Sequence, residues 1–355
     1  MRRLLVATAC AAISCLCFVP ASAVAAPCLL VTLTGTMSGP VLLNGVAGAG
    51  TLVSYGDDSN DCSAVTLQFD AGRGTTLRLS QVPADIGALD AIFFTHMHSD
   101  HTDGFADLMQ ARWNWNSPGP KLDVVCSADA VSQPLGFTMS CAKLVAHIGD
   151  AFIQSGEIAQ RISEDKRRLP GGPAELAHLI TFEPTDEPQV VWQKGDVRVS
   201  AIRSTHVAGH ASYRVDTPAG SVVIGGDAGN DALAPPRASS TSAQVEKLAQ
   251  GADVLVHSTM HPIMAPEHGS GMPAQLYFRQ SNTPDLGAMA KRAGVKVLML
   301  THLAPQPRQS RHGPVWIVPG GGITEDDYRK AAEDGGFTGI IVVGADIATL
   351  RLPLQ

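Results

Sequence analysis

Basic residues are scarce and nowhere massed in this chain of 355 residues: 26 Lys and Arg stand against 33 Asp and Glu, a formal net charge of −7. Gripping phosphate backbones takes clustered Lys and Arg, so this balance speaks against stable nucleic-acid binding. The compact basic run Lys166-Arg167-Arg168 follows Glu164 and Asp165 and reads as a solvated helix face of mixed charge. Aromatic residues are also few, at 5%, but hydrophobic residues make up 45%, which suits an ordinary globular α/β protein and excludes a fibre or a disordered chain. No long low-complexity stretch separates two halves, so residues 27–355 read as one domain. No G-x-S-x-G elbow is present, which removes the reason to invoke a serine-centred triad. Gly320-Gly-Gly322 lacks a following Lys-Ser or Lys-Thr and reads as a turn, not a phosphate cradle.

Residues 1–26 have the three parts of a secretory leader: Arg2 and Arg3, an apolar stretch from Leu4 to Val19, and small residues from Ala21 to Ala26. Cleavage after Ala23 or Ala25 is expected, giving a periplasmic or secreted protein. The apolar stretch falls short of the ~20 residues of a spanning helix, so no membrane anchor is expected after cleavage. Cys10, Cys15 and Cys17 leave with the leader, while Cys28, Cys62, Cys126 and Cys141 remain. In an oxidising compartment these four make two disulfides; Cys28–Cys62 with Cys126–Cys141 is the sequence-nearest of the three connectivities. Their spacing is unlike that of zinc-ribbon pairs.

Strands are expected over residues 29–36, 50–55 and 64–69, which are rich in Val, Leu and Thr and separated by Gly, Asn and Asp. The short apolar run 91–95 ends at a His cluster and is followed by a helix over 105–112, so the cluster sits on a strand-to-helix loop. A strand over 122–126 and a helical, charged region over 142–168 come next. Hairpin-like pairs follow at 190–193 with 197–204 and at 212–215 with 221–225. Helices over 242–249, 284–293 and 325–333 then interleave with apolar strands at 254–256, 295–300 and 339–343. The last helix opens on a Thr324 cap with Asp327 three residues on. Phe69-Asp70-Ala71-Gly72 before the strand ending at His96 is echoed by Gly226-Asp227-Ala228-Gly229 before the strand ending at His257. A duplicated unit would pack sheet on sheet with helices outside.

Within six residues His96, His98, Asp100 and His101 offer three imidazoles and a carboxylate, ligands suited to zinc. Residues two apart in extended backbone point to one side, so His96 and His98 can grip one ion while a turn at Ser99 swings Asp100 and His101 toward a second. Further His and Asp residues stand at the ends of apolar strands: His206, Asp227, His257 and His302.

The run Thr95-His-Met-His-Ser-Asp-His-Thr-Asp-Gly104 resembles the signature of the metallo-β-lactamase superfamily, in particular its ribonuclease Z and arylsulfatase-like branches. The similarity continues through Thr205-His206, Tyr213, Ile224-Gly-Gly-Asp227 and Leu300-Thr-His302, and covers the chain from about Leu29 onward. It implies a four-layer αβ/βα sandwich of two mixed sheets packed face to face. It also implies two Zn2+ per chain, with Mn2+ or Fe2+ compatible: His96, His98 and His206 on the first, Asp100, His101 and His302 on the second, and Asp227 between them. The implied chemistry is attack by a metal-bridging hydroxide, oriented by Asp100 and Asp227, with His257 as the preferred proton donor. Ribonuclease Z usually carries a Glu after the residue resembling His257, and Ser258 in its place puts that enzyme's proton relay in doubt. Asp70 resembles a carboxylate that supports the metal loop without binding metal. His210, His261 and His268 read equally well as rim or surface positions, and Trp113-Asn-Trp115 as a pocket wall or an ordinary helix end. His147, His178 and His312 carry no assignment.

The expected function is hydrolysis of a phosphodiester or sulfate ester, with a small-molecule ester as partner; a homodimer is what the resemblance implies. A lactonase or β-lactamase-like activity on a carbonyl ester or amide is the alternative. A non-catalytic periplasmic metal- or ligand-binding protein is the alternative of another class; it is disfavoured because a storage site has no need of an open, shared coordination position.

Overall fold

The computed structural model describes residues 25–43 and 45–354. The leader expected over residues 1–26, with Cys10, Cys15 and Cys17, lies outside them but for its last two residues. Fourteen of the strands form two seven-stranded sheets. In chain order these are β1 (Pro27–Gly35), β2 (Gly50–Asp57), β3 (Val65–Phe69), β4 (Ala91–Phe93), β5 (Leu122–Ser127), β6 (Ala177–Phe182), β7 (Gln189–Lys194), β8 (Val197–Arg203), β9 (Ala211–Thr217), β10 (Gly220–Ile224), β11 (Val254–Met260), β12 (Val297–Ala304), β13 (Ile340–Val343) and β14 (Thr349–Leu352). The first sheet runs β14-β1-β2-β3-β4-β5-β6 and the second β7-β8-β9-β10-β11-β12-β13.

Read in these directions, both sheets have the same pattern, three antiparallel pairings followed by three parallel ones. The echo between Asp70 and Asp227 is therefore carried by the architecture: each Asp follows the strand at which pairing changes from antiparallel to parallel. The parallel strands are continuous apolar runs because both of their faces are covered. Val254 and Val256 of β11 point between the sheets while Leu255 points outward; Val297 and Met299 of β12 alternate with Leu298 and Leu300 in the same way. Outside the first sheet, Phe105, Leu108, Met109 and Trp113 cover Ile92 and Phe94. Outside the second sheet, Leu248, Leu286, Met289 and Tyr328 pack on Leu255 and Leu298. The result is the four-layer sandwich.

The helices that matter for the site are α1 (Ser99–Thr102), α2 (Phe105–Asn116), α3 (Ala243–Leu248), α4 (Thr283–Ala293) and α5 (Glu325–Asp334). Thr324 and Asp327 form the expected reciprocal cap of α5. The charged region 142–168 is broken into three short helices, Cys141–His147, Asp150–Gln154 and Glu157–Glu164, with Gly149 and Gly156 at the breaks. Arg167 pairs with Asp165, and Arg168 lies over the Trp113 ring, so this basic run is spent within the fold. Two strands not expected from the sequence, β6 and β14, are six and four residues long and lie at sheet edges with one neighbour each, too short to give a clear periodic signal.

Two disulfides form, with the sequence-nearest connectivity. Cys28–Cys62 ties β1 to the turn before β3, and Cys126–Cys141 ties β5 to the helix that follows the Ala130–Met139 excursion. Loops of 34 and 15 residues restrict the unfolded chain by about 3 to 4 kcal/mol each. Cys28→Ser and Cys126→Ser should each lose a stability of that order in urea titration, and a thiol reductant should destabilise the wild type but not the corresponding double variant; equal midpoints with and without reductant would refute this.

Candidate metal centre

The His cluster is held by Asp70, which follows β3 in a left-handed conformation, φ 55°. Its backbone N–H bonds the Phe93 carbonyl at 2.8 Å, fixing it beside the end of β4. Its Oδ1 accepts from the Thr95 N–H, and its Oδ2 accepts from both the Thr95 hydroxyl and His101 Nδ1, all at 2.8 Å. A single carboxylate thus sets where the loop leaves the strand and which ring nitrogen His101 turns inward. Helix α1 starts immediately after His98 and brings Asp100 and His101 around, as the turn expected at Ser99 requires. Gly72 permits this approach, since a Cβ there would stand 2.2 Å from the Asp100 carbonyl oxygen.

The second sheet supplies the rest. His206 lies just beyond β8, and Asp227 follows β10 through Gly226, whose φ of 60° favours glycine. His302 is the extra residue of a bulge in β12: Ser258 opposes Thr301 and Thr259 opposes Leu303, and His302 between them takes φ 47°. A bulge re-aims one side chain without ending the strand, here out of the sheet toward Asp100 and Asp227. The two sheets are clamped at this point by the Ala211 N–H on the Thr95 carbonyl, 2.9 Å, and the Tyr213 hydroxyl on the Phe94 carbonyl, 2.8 Å.

All seven expected ligand residues converge. Three overlapping groups have ligand atoms within 4.8 Å of one another: His96, His98 and His206; His96, His101 and Asp227; and Asp100, His101 and His302. His96 Nε2 faces His98 Nδ1 at 2.9 Å, and His302 Nε2 faces Asp100 Oδ2 at 3.1 Å. Asp227 lies between the groups, with its carboxylate 3.6 Å from His101 Nε2, 3.7 Å from His206 Nε2 and 3.5 Å from His302 Nδ1. Of the seven, only His98 is more than marginally exposed.

These residues fit divalent cations. His101 Nε2, both ring nitrogens of His206 and Asp227 Oδ1 are buried without a hydrogen-bond partner, a cost that a protein pays rarely and that metal coordination offsets. Burial pushes His96 and His206 well below the ordinary imidazole range, keeping their lone pairs free. Burial opposes ionisation of Asp100, but the imidazoles of His302 and His101 outweigh it and hold the carboxyl at about 2. Burial likewise works against charge on His101, yet Asp227 and Asp70 raise it well above its ordinary value. Ionised carboxylates on Asp100 and Asp227 thus stand beside neutral imidazoles on His96 and His206, a donor set suited to a cation.

Several other residues resolve differently from the sequence reading. His257 does not reach the site opening. It is fully buried, Nδ1 faces the Ser258 carbonyl at 2.7 Å, and its ring lies against Gly225, where a Cβ would stand 2.1 Å from it. Burial also lowers its pKa to about 4. His257 lies outside the cavity lining, which counts against the proton-donor role expected of it, while its Nε2 is buried without a hydrogen-bond partner. His210 is neither rim nor surface: Nε2 accepts the Asp227 N–H at 3.2 Å, while Nδ1 meets Ser204 Oγ at 2.8 Å, so it braces the Asp227 turn. His261 accepts the Ile263 N–H at the start of a short 3-10 helix. Trp113 is core and Trp115 is 92% exposed, an ordinary helix end.

A cavity of about 1050 Å³ opens over His98, Asp100, His206, Asp227 and His302. Its walls are the loop Met37–Leu43, the residues Met272, Leu276 and Arg279, and the small hairpin of Arg311–His312 with Trp316–Ile317. His312, 3% exposed and stacked on Trp316, presents an unpartnered Nδ1. These wall residues carry no ligand-type pattern in the sequence, and only folding brings them over the metal loop.

Among models of known protein families none matches the chain. Curated relatives include ribonuclease Z of Mycobacterium bovis BCG, 27% identical over 321 residues, which span 90% of this chain and 96% of the relative. Ribonuclease Z of Mycobacterium avium is 29% identical over 324 residues, 91% of this chain and 98% of the relative. Among solved structures, a metallo-β-lactamase fold protein from Bacillus subtilis superposes with TM-score 0.55 at 18% identity, covering 91% of this chain and 99% of its own. The short form of human tRNase Z gives 0.54 at 16%, covering 92% and 100%. Sequence relatives that are ribonucleases overturn the expectation of a small-molecule ester partner and no nucleic-acid binding. That expectation used net charge, which averages over the whole surface, whereas a phosphodiester meets only the charges lining one cavity. By sequence the chain is similar to ribonuclease Z over nine-tenths of its length, and its fold is that of the metallo-β-lactamase fold proteins.

Proposed function

We propose that this protein is an exported two-zinc phosphodiesterase that hydrolyses phosphodiester bonds of RNA. The observation that carries this reading is the set of three overlapping ligand groups at the floor of a 1050 Å³ cavity, in a chain similar to ribonuclease Z over nine-tenths of its length. Export is supported by the leader-like residues 1–26 and by two disulfides, which persist in oxidising compartments; the RNA would then be met outside the cytoplasm.

In this reading His96, His98 and His206 hold one cation, Asp100, His101 and His302 the other, and Asp227 stands between. A pair of divalent cations supplies Lewis acidity and lowers the pKa of water enough to make it a nucleophile near neutral pH. The chain's own work is orientation. Asp70 fixes the tautomer of His101 by accepting from Nδ1, His210 holds the Asp227 backbone, and the bulge at His302 brings the second sheet's imidazole to Asp100. Apolar wall residues such as Met37, Val41, Met272 and Leu276 lower the polarity around the centre, which strengthens charge interactions there.

Purified protein loaded with zinc should cleave an oligoribonucleotide or a precursor tRNA, lose that activity with a chelator and regain it with the metal; His302→Ala should abolish it. Inertness of the loaded wild type toward both RNAs would sink the proposal. Asp70→Asn should leave the seven ligands in place but weaken zinc about 10- to 100-fold in a competition with a chromophoric chelator, and an unchanged affinity would remove Asp70 from this role. Because Asp227 and Asp70 hold His101 charged at pH 7, and a ligand imidazole must be neutral, zinc binding there should release a proton. Calorimetry in buffers of different ionisation enthalpy reads that proton, and none released would contradict His101 as the ligand that titrates.

A further inference from the structure

Arg279 lines the cavity beside the metal cluster. It lies near enough that its charge acts on His98 and His206. Other arginines differ: Arg203 pairs with Asp186, Arg237 lies over the Phe278 ring, and Arg311, on the hairpin wall of the cavity, donates to the Pro314 carbonyl at 3.3 Å. Arg279 pairs with no carboxylate among the described residues, and its buried Nε has no hydrogen-bond partner. With Nε closed to solvent, the terminal nitrogens of the guanidinium, which pair with no carboxylate, are left for an anion entering the cavity.

The backbone that carries it is fixed against the Asp227 turn. The Ser281 hydroxyl donates to the Ala228 carbonyl at 2.7 Å, the Met260 N–H donates to the Ser281 carbonyl at 3.0 Å, and the Asn282 N–H donates to Ser240 Oγ at 2.9 Å. The Arg279 carbonyl oxygen packs so closely on Gly229 that a Cβ there would meet it at 2.4 Å. The guanidinium is therefore placed relative to Asp227 by rigid chain and not by a mobile loop.

We propose that Arg279 grips the non-bridging oxygens of the scissile phosphodiester. This rests on the phosphodiesterase reading and deepens it by naming the group that selects an anionic ester. A phosphodiester carries one negative charge. A planar guanidinium with no counter-ion of its own attracts that charge and presents paired donors matched to two phosphoryl oxygens. A neutral ester offers it nothing comparable.

The test uses the full, zinc-loaded protein with bis(p-nitrophenyl) phosphate as substrate and inorganic phosphate as equilibrium probe. Arg279→Ala should retain its zinc by elemental analysis. It should lose about 10- to 100-fold in kcat/KM, chiefly through KM, and weaken phosphate binding by calorimetry to a similar degree. Arg279→Lys should fall between, and guanidinium in the buffer should restore part of the Ala variant's activity. Wild-type kcat/KM and phosphate affinity in Arg279→Ala would overturn the assignment while leaving the phosphodiesterase reading intact. Loss of zinc together with activity would also overturn it, as the mark of a structural role. If the wild type turns over no phosphodiester but binds phosphate through Arg279, the phosphodiesterase reading falls and the anion grip stands.

Discussion

The carboxylate of Asp70 is the constraint on which the centre depends. It binds no metal in the proposed arrangement, yet three donors from Thr95 and His101 end on it. Those contacts decide where β4 gives way to the loop and which nitrogen of His101 faces Asp227. A ligand cluster of imidazoles is otherwise repulsive and costly to bury; fixing the tautomers in advance through outer partners is what lets such a cluster remain ordered. His210 does the corresponding work for the other half, holding the Asp227 turn through the backbone.

The loop that carries His96 to His101 belongs to one sheet, and His206, Asp227 and His302 belong to the other. Their meeting therefore depends on how the sheets pack, and that packing is concentrated near the site. Phe69, Phe93 and Tyr213 stack between the sheets directly beneath the loop, and the Tyr213 hydroxyl reaches across to Phe94. An aromatic contact of this kind adds to the area it buries, and here it also sets the distance between the two sets of ligands. Packing and ligation are one problem in this fold: a shift of the sheets would separate Asp227 from His101 before it disturbed the strands themselves.

Much of this was legible in the sequence because the ligands stand at the ends of apolar runs. His96 to His101 is dense enough to be read directly, and His206, Asp227 and His302 each terminate or interrupt a strand that alternation and β-branching reveal. The duplication was visible in two Asp-Ala-Gly turns and is carried by the matched topology. What escaped was of another kind. The bulge that turns His302 inward has no local signature; Arg279 and the hairpin at 311–317 face the cavity only through tertiary placement. The burial of His257 was not legible either, because a strand-end histidine looks the same in sequence whether it opens on solvent or on Gly225. Net charge misled in a similar way, by averaging what the cavity keeps separate.

The first sheet takes its outermost strand from Thr349–Leu352, paired to β1 at the far end of the chain. Until that strand docks, β1 presents an unsatisfied backbone edge open to pairing with other chains; docking moves the sheet edge from a nine-residue strand to a four-residue one, and deleting Thr349–Leu352 would expose β1 while sparing every ligand.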